Sequence, residues 1–131
     1  MNSLKIILIL LFVLHFNACR QILGDEKQPE LIVQPPGEAE KIIVTSPVNG
    51  SIWKKGDVIK IKWVAPTIER IKIHLYRKST YKLTIAGNIE NKGTYEWVIP
   101  DDIAISNHYL FKVSNQNKSS VYNYSGRFAI Q

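Results

Sequence analysis

Strict alternation of apolar and polar residues is the feature that most limits what this chain can fold into. From Val58 to Val64, the apolar side chains of Ile59, Ile61 and Trp63 alternate with lysines. Successive side chains of a β-strand point to opposite faces, so this period of two predicts a half-buried strand. Short strands of this kind, with no helical period, predict an antiparallel β-sandwich over residues 41–131. The later predicted inward residues are Ile71, Ile73 and Leu75; Tyr81, Leu83 and Ile85; Tyr95, Trp97 and Ile99; Tyr109, Phe111 and Val113; Phe128 and Ile130.

The N-terminal segment has a different organisation and resembles the signal of a bacterial lipoprotein. Lys5 precedes an apolar run over residues 6–14, Ala18 supplies a small side chain, and the only cysteine is Cys19. A charged start, a short apolar run and a small residue at the cleavage point are typical of a secretory signal. We therefore predict a signal peptide over residues 1–18 and a palmitoylated N-terminal cysteine. The alternatives are ordinary secretory cleavage, an incidental thiol and a retained anchor, although the run has about half of the ~20 residues that a spanning helix needs.

Residues 19–40 are predicted to be the lipidated N-terminus and a linker that lifts the domain away from a membrane. The segment contains Pro29, Pro35 and Pro36 among mostly polar residues. Prolines extend a chain toward ~3.1 Å per residue, so about 20 residues can span several tens of ångströms. Alternatively, residues 31–33 add an edge strand to the domain. The predicted location is the cell envelope outside the cytoplasm, with the lipid in the outer membrane.

The composition limits how the domain is stabilised and what it binds. A single cysteine excludes an internal disulfide, so stability must come from apolar packing. The chain has 17 Lys and Arg against 11 Asp and Glu, and this net positive charge favours anionic partners. Scattered lysines that keep the surface soluble are the alternative explanation. No basic block is interleaved with aromatic residues, so no nucleic-acid partner is predicted.

Three blocks of sequence resemble a known family. Together they resemble the Ser-Thr-rich GPI-anchored membrane family domain, also called the yeast cell-wall synthesis protein N-terminal-like domain, over residues 42–131. The resemblance implies an immunoglobulin-like sandwich displayed outside cells, and it implies no catalytic residues. Asn123 replaces the usual Asp before Tyr-Ser-Gly. The blocks are Ser46-Pro47-x-x-Gly50-x-x-Trp53-x-x-Gly56 with Ile61-x-Trp63; Gly93-x-Tyr95-x-Trp97-x-Ile99-Pro100; and Ser119-Ser120-Val121-Tyr122-x-Tyr124-Ser125-Gly126-x-Phe128-x-Ile130.

The aromatic and titratable residues of the motifs favour structure over catalysis. Trp53, Trp63 and Trp97 are predicted to anchor the core, because each ring can bury a large area. Stacking of these rings on a sugar is the alternative. Neither His74 nor His108 lies in a metal-ligand motif. We therefore predict no enzyme activity, no cofactor and no metal site.

One outer surface is predicted as a candidate binding face. In an immunoglobulin-like order the strands that carry it are neighbours, so their outward side chains form one basic, partly aromatic surface. Such a face suits an anionic glycan or a partner domain, and binding of an anion should strengthen below about pH 6.5 as the histidines gain charge. A solvated outer face is the alternative. The outward residues of this face are Lys72, His74, Tyr76, His108, Lys112 and Arg127.

Two classes of function remain open. The first is a lipid-anchored, non-catalytic envelope module for adhesion, scaffolding or glycan binding. The second is an accessory subunit of an envelope enzyme or export complex. Direct binding to glycans would favour the first class, and co-purification with an envelope partner would favour the second.

Acylation at Cys19 gives the first testable prediction. In the native host, a palmitate label should enter the wild-type protein, and Cys19→Ser should abolish labelling and release the protein from membranes. Equal labelling of the two proteins would exclude acylation at this residue.

Overall fold

The computed structural model describes residues 39–131. The regular secondary structure in that range consists of β-strands, without a helix. The predicted signal peptide, Cys19 and nearly all of the predicted linker lie outside the described residues. Within residues 39–131 there is no helix of the length and apolarity needed to cross a membrane. The strands are β1 (Ile43–Ser46), β2 (Ser51–Trp53), β3 (Val58–Val64), β4 (Arg70–Arg77), β5 (Thr80–Glu90), β6 (Thr94–Val98), β7 (Ser106–Asn115), β8 (Tyr122–Tyr124) and β9 (Phe128–Ile130).

The strands form two sheets that enclose a common core. One sheet has the order β1-β3-β6, and the other has the order β2-β9-β7-β4-β5, with β8 paired to part of β7. The order β1-β3-β6 corresponds to strands A-B-E of immunoglobulin-like domains, and the order β9-β7-β4-β5 corresponds to strands G-F-C-C′. The Tyr109 hydroxyl also donates to the carbonyl of Ala104 at 2.7 Å, which matches the tyrosine corner of such domains. The predicted β-sandwich is confirmed.

Two short strands differ from the prediction. β2 runs parallel to β9, with Ser51 opposite Phe128 and Trp53 opposite Ile130, so the sandwich is not wholly antiparallel. β8 lies between Val113 and Phe128, where the alternation predicts no strand, yet it pairs with Lys112–Ser114 of β7. All three residues of β8 are exposed, and a strand that buries nothing leaves no alternation in the sequence.

The core is built from the inward positions of the central strands. Ile59, Ile61, Ile71, Ile73 and Leu75 are each fully buried, as their alternation predicts. The three tryptophans differ in burial. Trp63 is buried, whereas Trp53 and Trp97 are half-buried and pack against the edge of the core. The Trp97 ring meets the Phe111 ring edge-on, with 5.6 Å between their centroids.

Through its side chain, Asn91 joins the turn between β5 and β6 to the end of β3 and the loop that follows β3. Its Oδ1 accepts a hydrogen bond from the Trp63 indole at 2.7 Å. Its Nδ2 donates to the carbonyls of Ala65 and Ile68, also at 2.7 Å. The amide of Asn91 therefore fixes the end of β3, the loop after it and the turn between β5 and β6.

Substitution of Asn91 should destabilise the fold strongly. Asn91→Ala removes the partners of one indole and two carbonyls, and three hydrogen bonds of about 1 kcal/mol each predict a loss of ~2–4 kcal/mol in the free energy of unfolding. Asn91→Asp keeps an acceptor for Trp63 but cannot donate, so it should also destabilise. Chemical denaturation measures both losses.

The matched control is Asn117→Ala, because Asn117 is exposed and its substitution should change stability by no more than about 0.5 kcal/mol. Equal stability of the Asn91 and Asn117 variants would show that the amide network is not needed.

Candidate functional site

β4 and β7 bring the predicted binding face together. Their antiparallel register pairs His74 with Lys112 and Tyr76 with Leu110. Directly opposed residues of paired strands share one face, and the intervening residues Ile73 and Leu75 are fully buried. The predicted rows of β4 and β7 are therefore neighbours on the solvent side of the larger sheet.

Tyr81 belongs to the same outer surface, and the prediction that it points inward is wrong. Leu83 opposes Leu75, whereas Tyr81 opposes Tyr76, so Lys82 is one extra residue in β5. A bulge of this kind reverses the direction of the side chains that follow it. Tyr81 is consequently 49% exposed, and its ring lies beside the outward residues of β4.

β8 adds two further tyrosines that were not predicted for the face. Tyr122 and Tyr124 are two residues apart on one strand, and Tyr124 lies opposite Lys112 of β7. Both rings are exposed, at 46% and 42%. We call the outer surface formed by these residues the tyrosine face, and its members are His74, Tyr76, Tyr81, Lys112, Tyr122 and Tyr124.

The rings of the tyrosine face form a continuous edge-to-face series. Tyr122 meets Tyr124 at 5.5 Å between centroids, Tyr124 meets Tyr76 at 6.1 Å, and Tyr76 meets Tyr81 at 6.0 Å. His74 meets Tyr81 at 5.3 Å. The ammonium of Lys112 lies 4.0 Å from the centroid of the Tyr122 ring, where the negative π-face attracts it. Each ring is thus held by a neighbour while part of it stays open to solvent.

The Ser-Gly pair of the last sequence block holds this surface in place. The Ser125 hydroxyl accepts a hydrogen bond of 2.9 Å from the Phe111 amide, which fixes the end of β8 on β7. A Cβ on Gly126 would overlap the backbone of Val48 and Asn49, and the Gly126 amide donates to the Pro47 carbonyl at 3.0 Å. This close approach positions Tyr124 and Arg127 on either side of the pair.

An open depression lies at one end of the tyrosine face. Its volume is about 510 Å³, and three residues of the predicted face line it: Tyr76, His108 and Arg127. Lys72 does not line it, because Lys72 lies opposite Ser114 at the far end of the β4–β7 pair. The predicted face is therefore divided between two places. The residues that line the depression are Tyr76, Lys78, Ser79, His108, Leu110, Tyr124 and Arg127.

The basic residues of this surface have no acidic partners among residues 39–131. The ion pairs in that range are Lys60–Glu96, Lys92–Glu90 and Lys118–Glu40. None of them involves a cation of the tyrosine face or of the depression. A group of cations that lack acidic partners creates a positive potential that attracts anions.

This environment changes the titration of two rings. Burial lowers the pKa of His74 below its usual range, and the charges of Lys72 and Lys112 lower it further. His74 therefore gains its charge at a lower pH than the 6.5 expected from the sequence. Burial raises the pKa of Tyr124, with smaller contributions from Tyr122 and Tyr76, so its hydroxyl remains a neutral hydrogen-bonding group at physiological pH.

The comparison with family models decides the classification. The model described as the Kre9/KNH-like N-terminal Ig-like domain matches residues 46–130. The chain belongs to this family. The Kre9/KNH-like match includes every residue of the tyrosine face and of the depression. No curated protein and no solved structure matches the chain. Within residues 39–131, no group of three His, Cys, Asp or Glu side chains is placed to hold a metal ion.

The low pKa of His74 makes the stability of the Kre9/KNH-like domain depend on pH. The unfolded histidine titrates near pH 6.5 and the folded one lower, so between these two values the unfolded state binds more protons. Stability should therefore fall as the pH is lowered from about 6.5 through the pKa of folded His74. His74→Gln should lose less stability than the wild type between pH 7.5 and 5.5 in thermal unfolding.

Lys72→Gln with Lys112→Gln serves as the control for the electrostatic part. This variant removes the two like charges but leaves His74 buried. Its loss of stability between pH 7.5 and 5.5 should therefore lie between the losses of the wild type and of His74→Gln. An identical loss in all three proteins would contradict a perturbed His74.

Proposed function

We propose that this chain is a lipid-anchored, non-catalytic module of the cell envelope that binds an envelope glycan through the tyrosine face. The single observation that carries the proposal is the series of four tyrosine rings on one exposed sheet face. Acylation at Cys19 and an outer-membrane location rest on the sequence alone. The membrane is then the first partner and the glycan the second.

Exposed tyrosines are well suited to hold a sugar. A ring offers a flat apolar surface to the C–H groups of a pyranose, and its hydroxyl donates and accepts hydrogen bonds. Tyr81, Tyr122 and Tyr124 keep nearly half of their surface accessible. Their edge-to-face contacts restrict ring motion before a ligand arrives, and a preorganised surface loses less conformational entropy on binding.

The surrounding charge favours an anionic glycan. Lys72 and Lys112 lie at one end of the face, and Lys78 and Arg127 lie at the other end in the depression. Cations without acidic partners speed the encounter with a polyanion and make binding sensitive to salt. The resemblance to a yeast cell-wall synthesis domain agrees with a polymer of the cell envelope.

A second candidate is an accessory subunit of an envelope enzyme or export complex. The observation in its favour is a pair of exposed apolar contacts on the other sheet. Ile43 lies opposite Val64, and Val58 lies opposite Val98, and all four side chains are at least 45% exposed. Protein interfaces commonly cover such residues. Co-purification with a specific envelope protein, without binding to any glycan, would favour this function.

Truncation of two tyrosines tests the glycan-binding function. The full-length protein is applied to a glycan array and then titrated with a purified polymer that binds. The test variant combines Tyr81→Ala with Tyr122→Ala. Each substitution should remove ~1–2 kcal/mol of binding free energy, which corresponds to an affinity about 5- to 30-fold weaker. Raised salt should weaken the wild-type interaction as well.

Val98→Ala is the matched control. Its side chain is 60% exposed on the outer face of the opposite sheet, so it should bind as the wild type does. Equal affinity of the tyrosine variant and this control would exclude the tyrosine face. Thermal unfolding of both variants excludes a loss of fold as the cause.

A further inference from the structure

The depression at the end of the tyrosine face has a chemical character of its own. Lys78, Arg127 and His108 supply basic groups, Ser79 supplies a hydroxyl, and Leu110 with the rings of Tyr76 and Tyr124 supplies an apolar wall. No Asp or Glu of the described residues lines it. Cations beside an apolar wall suit a ligand that is negatively charged on one side and carries C–H groups on the other.

The turn that carries Lys78 has an unusual backbone conformation. Lys78 and Ser79 connect β4 to β5, and Lys78 adopts a φ of 56°. This left-handed region costs a residue with a Cβ roughly 1–2 kcal/mol, and glycine avoids that cost. The Lys78 amide donates to the His108 carbonyl at 2.8 Å, which holds the turn against β7. The chain thus keeps a lysine where glycine would be more stable, at the rim of the depression.

A different set of hydrogen bonds holds Arg127 beside the depression. The Arg127 carbonyl accepts a hydrogen bond of 2.8 Å from the Gly50 amide, and the preceding Gly126 amide donates to the Pro47 carbonyl. The backbone at Arg127 is therefore fixed by the loop between β1 and β2. Two cations from distant parts of the chain are each held by a backbone hydrogen bond next to the same cavity.

We propose that this depression is a subsite for the anionic substituent of a sugar, a phosphate or carboxylate group held between Lys78 and Arg127. Ser79 and His108 add hydrogen-bond donors, and the sugar ring packs against Leu110 and Tyr124. The inference rests on the proposed function, since the anionic sugar would be one unit of the glycan that lies along the tyrosine face.

The test uses small probes that cannot span the tyrosine face. Backbone amide shifts of the full-length protein are followed by NMR during titration with glucose 6-phosphate, glucuronate, inorganic phosphate and glucose at one ionic strength. Glucose 6-phosphate, glucuronate or both should shift the amides of Lys78, Ser79, His108 and Arg127. The probe that binds more tightly identifies phosphate or carboxylate as the preferred anion. Glucose should leave the amides unchanged, and inorganic phosphate should bind more weakly than the best anionic sugar because it lacks the ring.

Lys78→Gly with Arg127→Gln is the test variant. Glycine relieves the backbone strain at position 78, so this variant should fold at least as well as the wild type at that turn. Its affinity for the anionic sugars should fall about 5- to 30-fold. Lys55→Gln with Lys62→Gln removes two exposed cations elsewhere and should leave the affinity unchanged.

The outcomes separate this inference from the proposed function. Unchanged affinity in the test variant, equal binding of glucose, or equal binding of inorganic phosphate and both anionic sugars would overturn the subsite. The variant with Tyr81→Ala and Tyr122→Ala should retain its affinity for the small anionic sugars, whereas its affinity for the polymer should fall. If the polymer does not bind but an anionic sugar still shifts the four amides, the subsite stands and the wider glycan-binding function fails.

Discussion

The unbroken pairing of β4 with β7 is the interaction on which the rest of the molecule depends. One register extends from the pair Ile71–Asn115 to the pair Arg77–Tyr109 without a bulge. On its inner side this register buries the centre of the core, and on its outer side it places His74 beside Lys112. A slip of one residue would exchange the two faces of a strand. The core and the candidate site are therefore specified by the same set of backbone hydrogen bonds.

This dependence explains which parts could be predicted from the sequence. β3 and β4 alternate strictly, so their faces follow from the pattern. The rows around His74 and Lys112 are predicted to be neighbours because an immunoglobulin-like order places β4 beside β7. Tyr81 was assigned to the wrong face because one extra residue in β5 changes the register, and a bulge leaves no periodic signal. Tyr122 and Tyr124 were missed as part of the site because β8 exists only through its pairing with β7. The depression, in turn, combines a hairpin turn with a residue near the C-terminus, and only the folded chain shows that they meet.

Small polar residues supply the remaining long-range constraints. Asn91 lies in a turn that its neighbours Lys92 and Gly93 make predictable, but its bond to the Trp63 indole spans 28 residues of sequence. Gly126 lies in a recognisable Ser-Gly pair, yet the reason for glycine is the backbone of Val48 and Asn49 on its other side. Local sequence indicates that a turn or a glycine is present. The partner that makes it necessary is set by tertiary packing.

The distribution of charge connects the stability of the domain to its proposed function. Burial lowers the pKa of His74, and the charges of Lys72 and Lys112 lower it further, so like-charge repulsion opposes protonation of His74 in the free protein. A bound anion would relieve that repulsion, so binding and stability are thermodynamically linked. The same relief would raise the pKa of His74 in the complex, and a proton would be taken up on binding where the pH lies between the free and bound values. In the proposed function the exposed rings and the nearby cations act together, because an anionic glycan offers C–H groups to the rings and negative charge to the cations.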